Sequence, residues 1–187
     1  MRLKVNERTN LELVEKRHAA ELSRVVLAND EDLSEWFLWA DKRYGVDTAE
    51  RFIEKAMGEF KRREAVYMVI LHDEKIVGEV GFESWRELEN QEKAIHLASA
   101  EMTYWLTGNA RGRGLMREVI RTMLAYGFNE MGLMRVVIQV EPNNLKSCRV
   151  AELAGFVYEG CQRGVATWRG RRVDLNLYAM TNSDWGS

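Results

Sequence analysis

Apolar positions recur at helical spacing through the first third of the chain and at strand spacing soon after residue 65. Leu11 to Val14 reads as a short strand. From Arg17 to Ala28, Leu22, Val25 and Val26 share one face of a helix. Asp30-Glu31-Asp32 is an acidic opening for a second helix running through Trp36, Phe37 and Trp39. Asp47-Thr48-Ala49-Glu50 has the form of a capping box and opens a third helix. Its apolar residues Phe52, Ile53, Ala56, Met57 and Phe60 keep helical spacing, and the cations Lys61, Arg62 and Arg63 close it.

The period then changes. Ala65 to Leu71 and Lys75 to Phe82 are short apolar runs joined by His72-Asp73-Glu74, the pattern of a hairpin. Ile95 to Leu106 is a third extended segment, followed by a turn rich in glycine and arginine, Thr107 to Gly114. Leu115, Met116, Val119, Ile120, Met123, Leu124, Phe128 and Met131 then form one face of a strong helix. Arg135 to Val140 alternates as a strand, and Leu145 to Ala154 reads as a short helix stopping at Gly155. Val173 to Met180 is the last strand, entered through a turn at Trp168-Arg169-Gly170-Arg171. Helices, an antiparallel hairpin and a strand–helix–strand–helix–strand series predict a mixed α/β (α+β) fold around one sheet.

Composition narrows the function. The 187 residues are 46% hydrophobic and 30% charged, the balance of a globular protein with a real core. A formal net charge of -2 provides no global attraction to DNA or to a membrane. The two cysteines, Cys148 and Cys161, fit no zinc spacing and make a poor disulfide framework, so reduced thiols and a cytoplasmic location are expected. Residues Met1 to Arg8 contain no apolar core of signal-peptide length, and no run approaches the ~18 apolar residues of a membrane span. The single proline, Pro142, leaves no proline-rich linker to divide the chain.

The stretch that carries chemistry is Glu101 to Met116. A strand runs into a turn, and the turn into a helix. Gly112 and Gly114 allow positive φ and close approach of a ligand. Successive N–H groups ahead of a helix make an anion nest, and Arg111 and Arg113 add positive charge, so a pyrophosphate suits the turn. No G-x-x-x-x-G-K-[ST] run exists. A Rossmann fingerprint from Gly112 would need glycine at 117, where Arg117 stands. On its own the turn is equally compatible with glycines that serve only geometry.

The wider context resembles the GNAT acetyltransferase superfamily. Arg111-x-x-Gly114 is similar to its R/Q-x-x-G-x-G/A loop, with Met116 at the last position. Asn144-x-x-Ser147 and then Gly155-Phe156 resemble its N-x-x-S…G-F stretch. Within the superfamily the likeness is to the RimJ/RimL ribosomal-protein N-terminal acetyltransferases. Ala100-Glu101-Met102-Thr103-Tyr104-Trp105-Leu106 resembles their A-E-x-G-Y-W-L strand, with Thr103 for glycine. Asn29 to Asp41, Glu159-Gly160-Cys161, Arg169 to Asp174 and Tyr178 fit the same branch, so the likeness spans roughly Leu11 to Met180. The chain is expected to be one N-acetyltransferase domain over 1–187.

That resemblance implies a mostly antiparallel sheet, splayed where acetyl-CoA enters and flanked by helices. It implies pantetheine along the strand ending at Trp105 and Leu106, and pyrophosphate on Arg111, Gly112, Arg113, Gly114, Leu115 and Met116, with Asn144 holding cofactor or capping a helix. A backbone N–H near Leu106 becomes the oxyanion donor. Ser147 becomes the proton donor to the thiolate, against a simple capping role. Glu101 becomes the candidate base, against a structural strand glutamate. The serine-directed members have a further glutamate that falls by spacing near Ala166, where this chain has no acid. No metal is implied, and His18, His72 and His96 are too scattered to form a metal motif.

Direct transfer of acetyl to a primary amine is the expected reaction. The acceptor is a protein N-terminus, a ribosomal protein foremost, or else a small amine or antibiotic. A homodimer is compatible with the family. A CoA-sensing scaffold without turnover is disfavoured by the presence of both Arg111-x-x-Gly114 and Ser147. Trp36, Phe37 and Trp39 either wall an acceptor groove or serve packing, and Arg163, Arg169, Arg171 and Arg172 suit a solvated hairpin better than an RNA site.

Overall fold

The computed structural model describes residues 1–90 and 95–186. Eight strands lie among them: β1 (Arg2–Lys4), β2 (Thr9–Leu13), β3 (Val66–His72), β4 (Lys75–Asn90), β5 (Ile95–Leu106), β6 (Arg135–Val140), β7 (Val157–Trp168) and β8 (Arg171–Thr181). The α-helices are α1 (Ala19–Leu27), α2 (Asp30–Leu33), α3 (Val46–Lys61), α4 (Leu115–Asn129), α5 (Leu145–Leu153) and α6 (Asn182–Trp185). Strand order is β1-β2-β3-β4-β5-β6-β8-β7. Among the described pairings β5–β6 is parallel and the others are antiparallel, the mixed sheet that the sequence predicts. No helix among the described residues is long and apolar enough to cross a membrane.

The chain divides into two compact units. The first is Met1–Phe82 with Tyr104–Thr122. Its core gathers Leu22 and Val26 of α1, Ile53 and Ala56 of α3, Val69 and Leu71 of β3, and the side chains of Tyr44 and Trp105. The β3–β4 turn has Asp73 at φ 50° and Glu74 at φ 58°. Two positive-φ residues match a type I′ turn, whose twist suits a tight hairpin.

The second unit is Glu83–Thr103 with Met123–Ser187. Strand β6 buries Val136, Ile138 and Val140 on one face, the period-2 pattern of a half-buried strand. It pairs with β8 from Arg135↔Thr181 to Val140↔Asn176. Its parallel ladder with β5 is much shorter: Ser99↔Arg135, Ala100↔Val136 and Glu101↔Val137. The described pairs end at Glu101↔Val137, and both strands run on past that point.

Several expectations need correction. The second helix ends at Leu33, and Trp36, Phe37 and Trp39 lie outside any helix. Phe37 and Trp39 stack together with ring centroids 5.2 Å apart, and Trp39 reaches both Tyr44 and Trp105. Residues two apart point about 200° away from each other on a helix, so this cluster requires a non-helical path. The capping box at Asp47 does not form: α3 starts at Val46, its N-cap is Gly45, and Thr48 and Ala49 N–H donate to Gly45 O at 3.1 Å. Asp47 instead sits in the first turn, where its charge complements the dipole.

Strand β4 continues past Phe82 to Asn90 because ladder hydrogen bonds are made by the backbone and need no apolar pattern. Strand β7, whose bounds the sequence pattern does not mark, forms the first arm of the hairpin expected around Arg163 to Arg172. It is exposed or half-exposed throughout, and register shifts at Tyr158/Gly160 and Gln162/Ala166 break any alternation.

Candidate active site

In the first unit, β5 ends at Leu106 and a 3₁₀ turn, Gly108–Ala110, leads into Arg111. Gly112 (φ 77°) and Gly114 (φ 78°) then take the left-handed region, where a Cβ is strained. A Cβ at either would have no neighbour within 4 Å, so this side of the turn is open. Arg117 and Glu118 N–H both donate to Gly114 O, at 3.1 and 3.3 Å. No backbone acceptor among the described residues takes the N–H groups of residues 112–116. They are the orphan donors of a helix start, with the positive end of the α4 dipole behind them. Leu115 and Met116 are buried and anchor the helix, while Arg113 is exposed. The arrangement fits a pyrophosphate.

Two residues from the α1–α2 corner brace this segment. Asn29 accepts from Gly108 N–H at 3.4 Å and donates to Val25 O at 2.8 Å. Asp32 Oδ2 lies 2.5 Å from Arg111 Nη1, and Arg111 Nε donates to Leu106 O at 2.8 Å. Arg111 therefore ties the turn back to the strand end. Gly78 was missed by sequence reasoning. A Cβ there would sit 2.2 Å from Trp105 O and 2.9 Å from Leu106 Cδ2, so only glycine allows this approach.

The rings of Phe37, Trp39, Tyr44 and Trp105 form a chain beside the strand end, Trp39 lying 5.6 Å from Tyr44 and 6.3 Å from Trp105. Glu79 of β4, also missed, is buried. The signal was an acid inside an apolar run, Ile76-Val77-Gly78-Glu79-Val80. Burial, and then the charge of Glu79, raise the Tyr44 hydroxyl above the ordinary tyrosine range.

In the second unit, Glu101 is half-buried at the last rung of the β5–β6 ladder. Burial first, and the charge of Glu83 second, raise its pKa. Asn144 is the N-cap of α5: its Oδ1 accepts from Ser147 N–H at 3.1 Å, and its carbonyl accepts from Cys148 N–H at 3.0 Å. Capping thus falls to Asn144, and Ser147 is placed half-buried in the first turn. Cys148 is buried, as expected of a structural thiol, and Cys161 is exposed; both are free. Asn176 Nδ2 approaches Cys148 Sγ at 3.8 Å. Burial, followed by the Cys148 contact, pushes the Tyr178 hydroxyl up to about 12. Ala166 lies opposite Val173 in the β7–β8 hairpin. Glu159 of that hairpin is bound to Arg135, with one bond of 2.8 Å.

His18 and His72 make structural contacts. His18 Nδ1 accepts from Glu15 N–H at 3.0 Å, and burial lowers its pKa. His72 Nδ1 meets Thr9 Oγ1 at 2.8 Å. The side chain of His96 lies outside the described residues. No cluster of metal-ligating side chains occurs among the described residues.

The acetyltransferase (GNAT) domain family matches residues 8–157. YdaF of Bacillus subtilis (strain 168), named provisionally as a ribosomal N-acetyltransferase, is 26% identical over 183 residues, covering 97% of this chain and 96% of the relative. The ribosomal-protein-serine acetyltransferase of Escherichia coli (strain K12) is 23% identical over 177 residues, covering 95% and 94%. Among solved structures, the microcin C7 self-immunity acetyltransferase MccE, in complex with acetyl-CoA and AMP, superposes with a TM-score of 0.82 at 25% identity, covering 95% of this chain and 94% of that one.

Proposed function

Because this chain belongs to the acetyltransferase (GNAT) domain family, we propose that it moves acetyl from acetyl-CoA to the N-terminal α-amine of a protein, a ribosomal protein foremost. The observation that carries the cofactor is the opening of α4. There, two left-handed glycines have open space where a Cβ would stand, and no backbone acceptor among the described residues takes the N–H groups of residues 112–116. Arg111, Gly112, Arg113, Gly114, Leu115 and Met116 receive the pyrophosphate. The backbone of Trp105 and Leu106 receives pantetheine, and an N–H near Leu106 stabilises the oxyanion.

Acetyl-CoA supplies an activated thioester. The amine nitrogen forms the new bond to the acetyl carbon, and the carbon–sulfur bond breaks. Ser147 gives a proton to the departing thiolate, and the surplus proton of the attacking nitrogen restores the Ser147 hydroxyl through water. Asn144 caps α5 and so leaves that hydroxyl out of the cap. Glu101 serves as base or as a structural carboxylate of the ladder end. The reaction belongs in the cytoplasm, with 1–187 acting as one N-acetyltransferase domain.

The protein acceptor is supported by the names of two relatives that match nearly the whole chain. A small-molecule amine is the second reading, favoured by the likeness to MccE. A panel of serine-, threonine- and alanine-initiated peptides and of small amines, assayed for CoA release and mass, separates them. Single acetylation at the peptide N-terminus supports the first. Inert peptides beside an acetylated small amine promote the second.

A further inference from the structure

The aromatic cluster of the first unit has a buried carboxylate, Glu79, beside it. Glu79 is 8% exposed and stands directly across the β3–β4 ladder from Val69. Partners in register share a sheet face. Val69 belongs to the same buried cluster as Tyr44, Tyr67 and Trp105, so Glu79 lies on that apolar face. Strand β4 is beside the end of β5 at this level: Thr107 N–H donates to Val77 O at 2.8 Å, and Gly78 abuts the Trp105–Leu106 backbone. Independently, the indole N–H of Trp105, a residue 5% exposed, is buried with no acceptor among the described residues. Buried donors in native proteins ordinarily have partners, and an orphan asks for a ligand. Trp39 is 42% exposed and stacks on both Tyr44 and Trp105, which makes it the entrance.

We propose that Glu79 is the carboxylate that meets the acceptor amine, and that the Trp105 indole donates to the carbonyl oxygen next to that amine. The ligand class is an α-aminoacyl group, an ammonium one carbon from a carbonyl. This rests on the acetyl-transfer reading and deepens it. The rings of Trp39 and Tyr44 suit the entering cation. In a dry aromatic setting both the ammonium and the carboxylate are disfavoured relative to their neutral forms. A proton therefore passes from nitrogen to a Glu79 oxygen: one N–H bond breaks, one O–H bond forms, and the nitrogen lone pair is free to attack. The proton returns to water after the product leaves. Glu79 would thus do the work of the acid absent at Ala166. Among the described residues, Tyr44 from the α2–α3 segment feels the Glu79 charge and Tyr67 of β3 shares its sheet face, while α3 buries Ala49, Ile53 and Ala56 here.

The test measures kcat/KM from pH 6.5 to 9.5 for Glu79→Gln and Trp105→Phe. The acceptors are a serine-initiated peptide, alaninamide and propylamine, and folding is checked by melting. At pH 6.5 Glu79→Gln should lose about 10²-fold. The deficit should shrink toward pH 9.5 for the peptide and alaninamide, whose α-amines lose their own proton near pH 8. The KM for acetyl-CoA should not move. Trp105→Phe should raise KM for alaninamide by a clearly larger factor than KM for propylamine, which has no carbonyl. A deficit in Glu79→Gln that is the same at every pH, or absent, overturns the base assignment. Equal losses of Trp105→Phe on alaninamide and propylamine overturn the carbonyl contact. An inert peptide beside acetylated alaninamide counts against the protein N-terminus as acceptor, while the alaninamide profile still decides on Glu79.

Discussion

Arg111 and Asp32 form an ion pair of 2.5 Å at the edge of the glycine turn, and the same guanidinium donates from Nε to Leu106 O. The arginine that the family pattern assigns to pyrophosphate is therefore shared between a strand end and a carboxylate. Both side chains are about a third or more exposed, at 31% and 41%. An exposed pair of this kind contributes at most about 1 kcal/mol.

If the glycine turn takes the cofactor phosphates as proposed, Asp32 would compete with them for Arg111. Asp32→Asn should tighten acetyl-CoA binding by about two- to fivefold, the range that such a pair allows. Calorimetry at low and high salt measures it, and the gain should fade as salt screens the charge. Weaker binding in the variant would make Asp32 a brace for Arg111 rather than a competitor.

Gly114→Trp should abolish acetyl-CoA binding. The Cβ direction points into open space, where the proposed pyrophosphate would lie, and a φ of 78° strains any other residue by about 1–2 kcal/mol. The melting temperature should fall only a few degrees on that account. Unchanged affinity in a folded variant would remove the pyrophosphate from this turn.

Ser147 and Asn144 should separate cleanly. Ser147→Ala should lower kcat by about 10²-fold with little change in the KM for acetyl-CoA, as expected when an interaction is made only in the transition state. Asn144→Ala removes the helix cap and should cost about 1 kcal/mol, or roughly 2–4 °C in Tm. Turnover equal to wild type in Ser147→Ala would leave the hydroxyl no catalytic part.

Glu101 links stability to pH. Its folded pKa is raised by burial and by Glu83, so the fold favours the protonated carboxyl. The resulting stabilisation is complete below the unfolded pKa of about 4.3 and is lost as pH rises through the higher folded value. Glu101→Gln should therefore melt higher than wild type at pH 7, with the difference vanishing near pH 4. A constant difference across that range would place the effect in packing instead of charge.

Local physics was legible in the sequence where one element answered to one pattern. The glycine turn is an example: Gly112 and Gly114 precede a helix whose Leu115, Met116, Val119 and Ile120 mark the buried face, and that reading needs no partner from elsewhere in the chain. The parallel β5–β6 register, the non-helical path from Trp36 to Tyr44 and the exposed strand β7 were decided by tertiary structure. Each depends on what lies across a ladder or against a ring, and a periodicity of 2 or 3.6 contains no such information. The same holds for Glu79 and Gly78. As letters they are a glutamate and a glycine in an apolar run. Only the neighbouring strand, bringing the Trp105 backbone to 2.2 Å from where a Cβ would stand and its indole into the same core, makes the glycine obligatory and the carboxylate a candidate for chemistry.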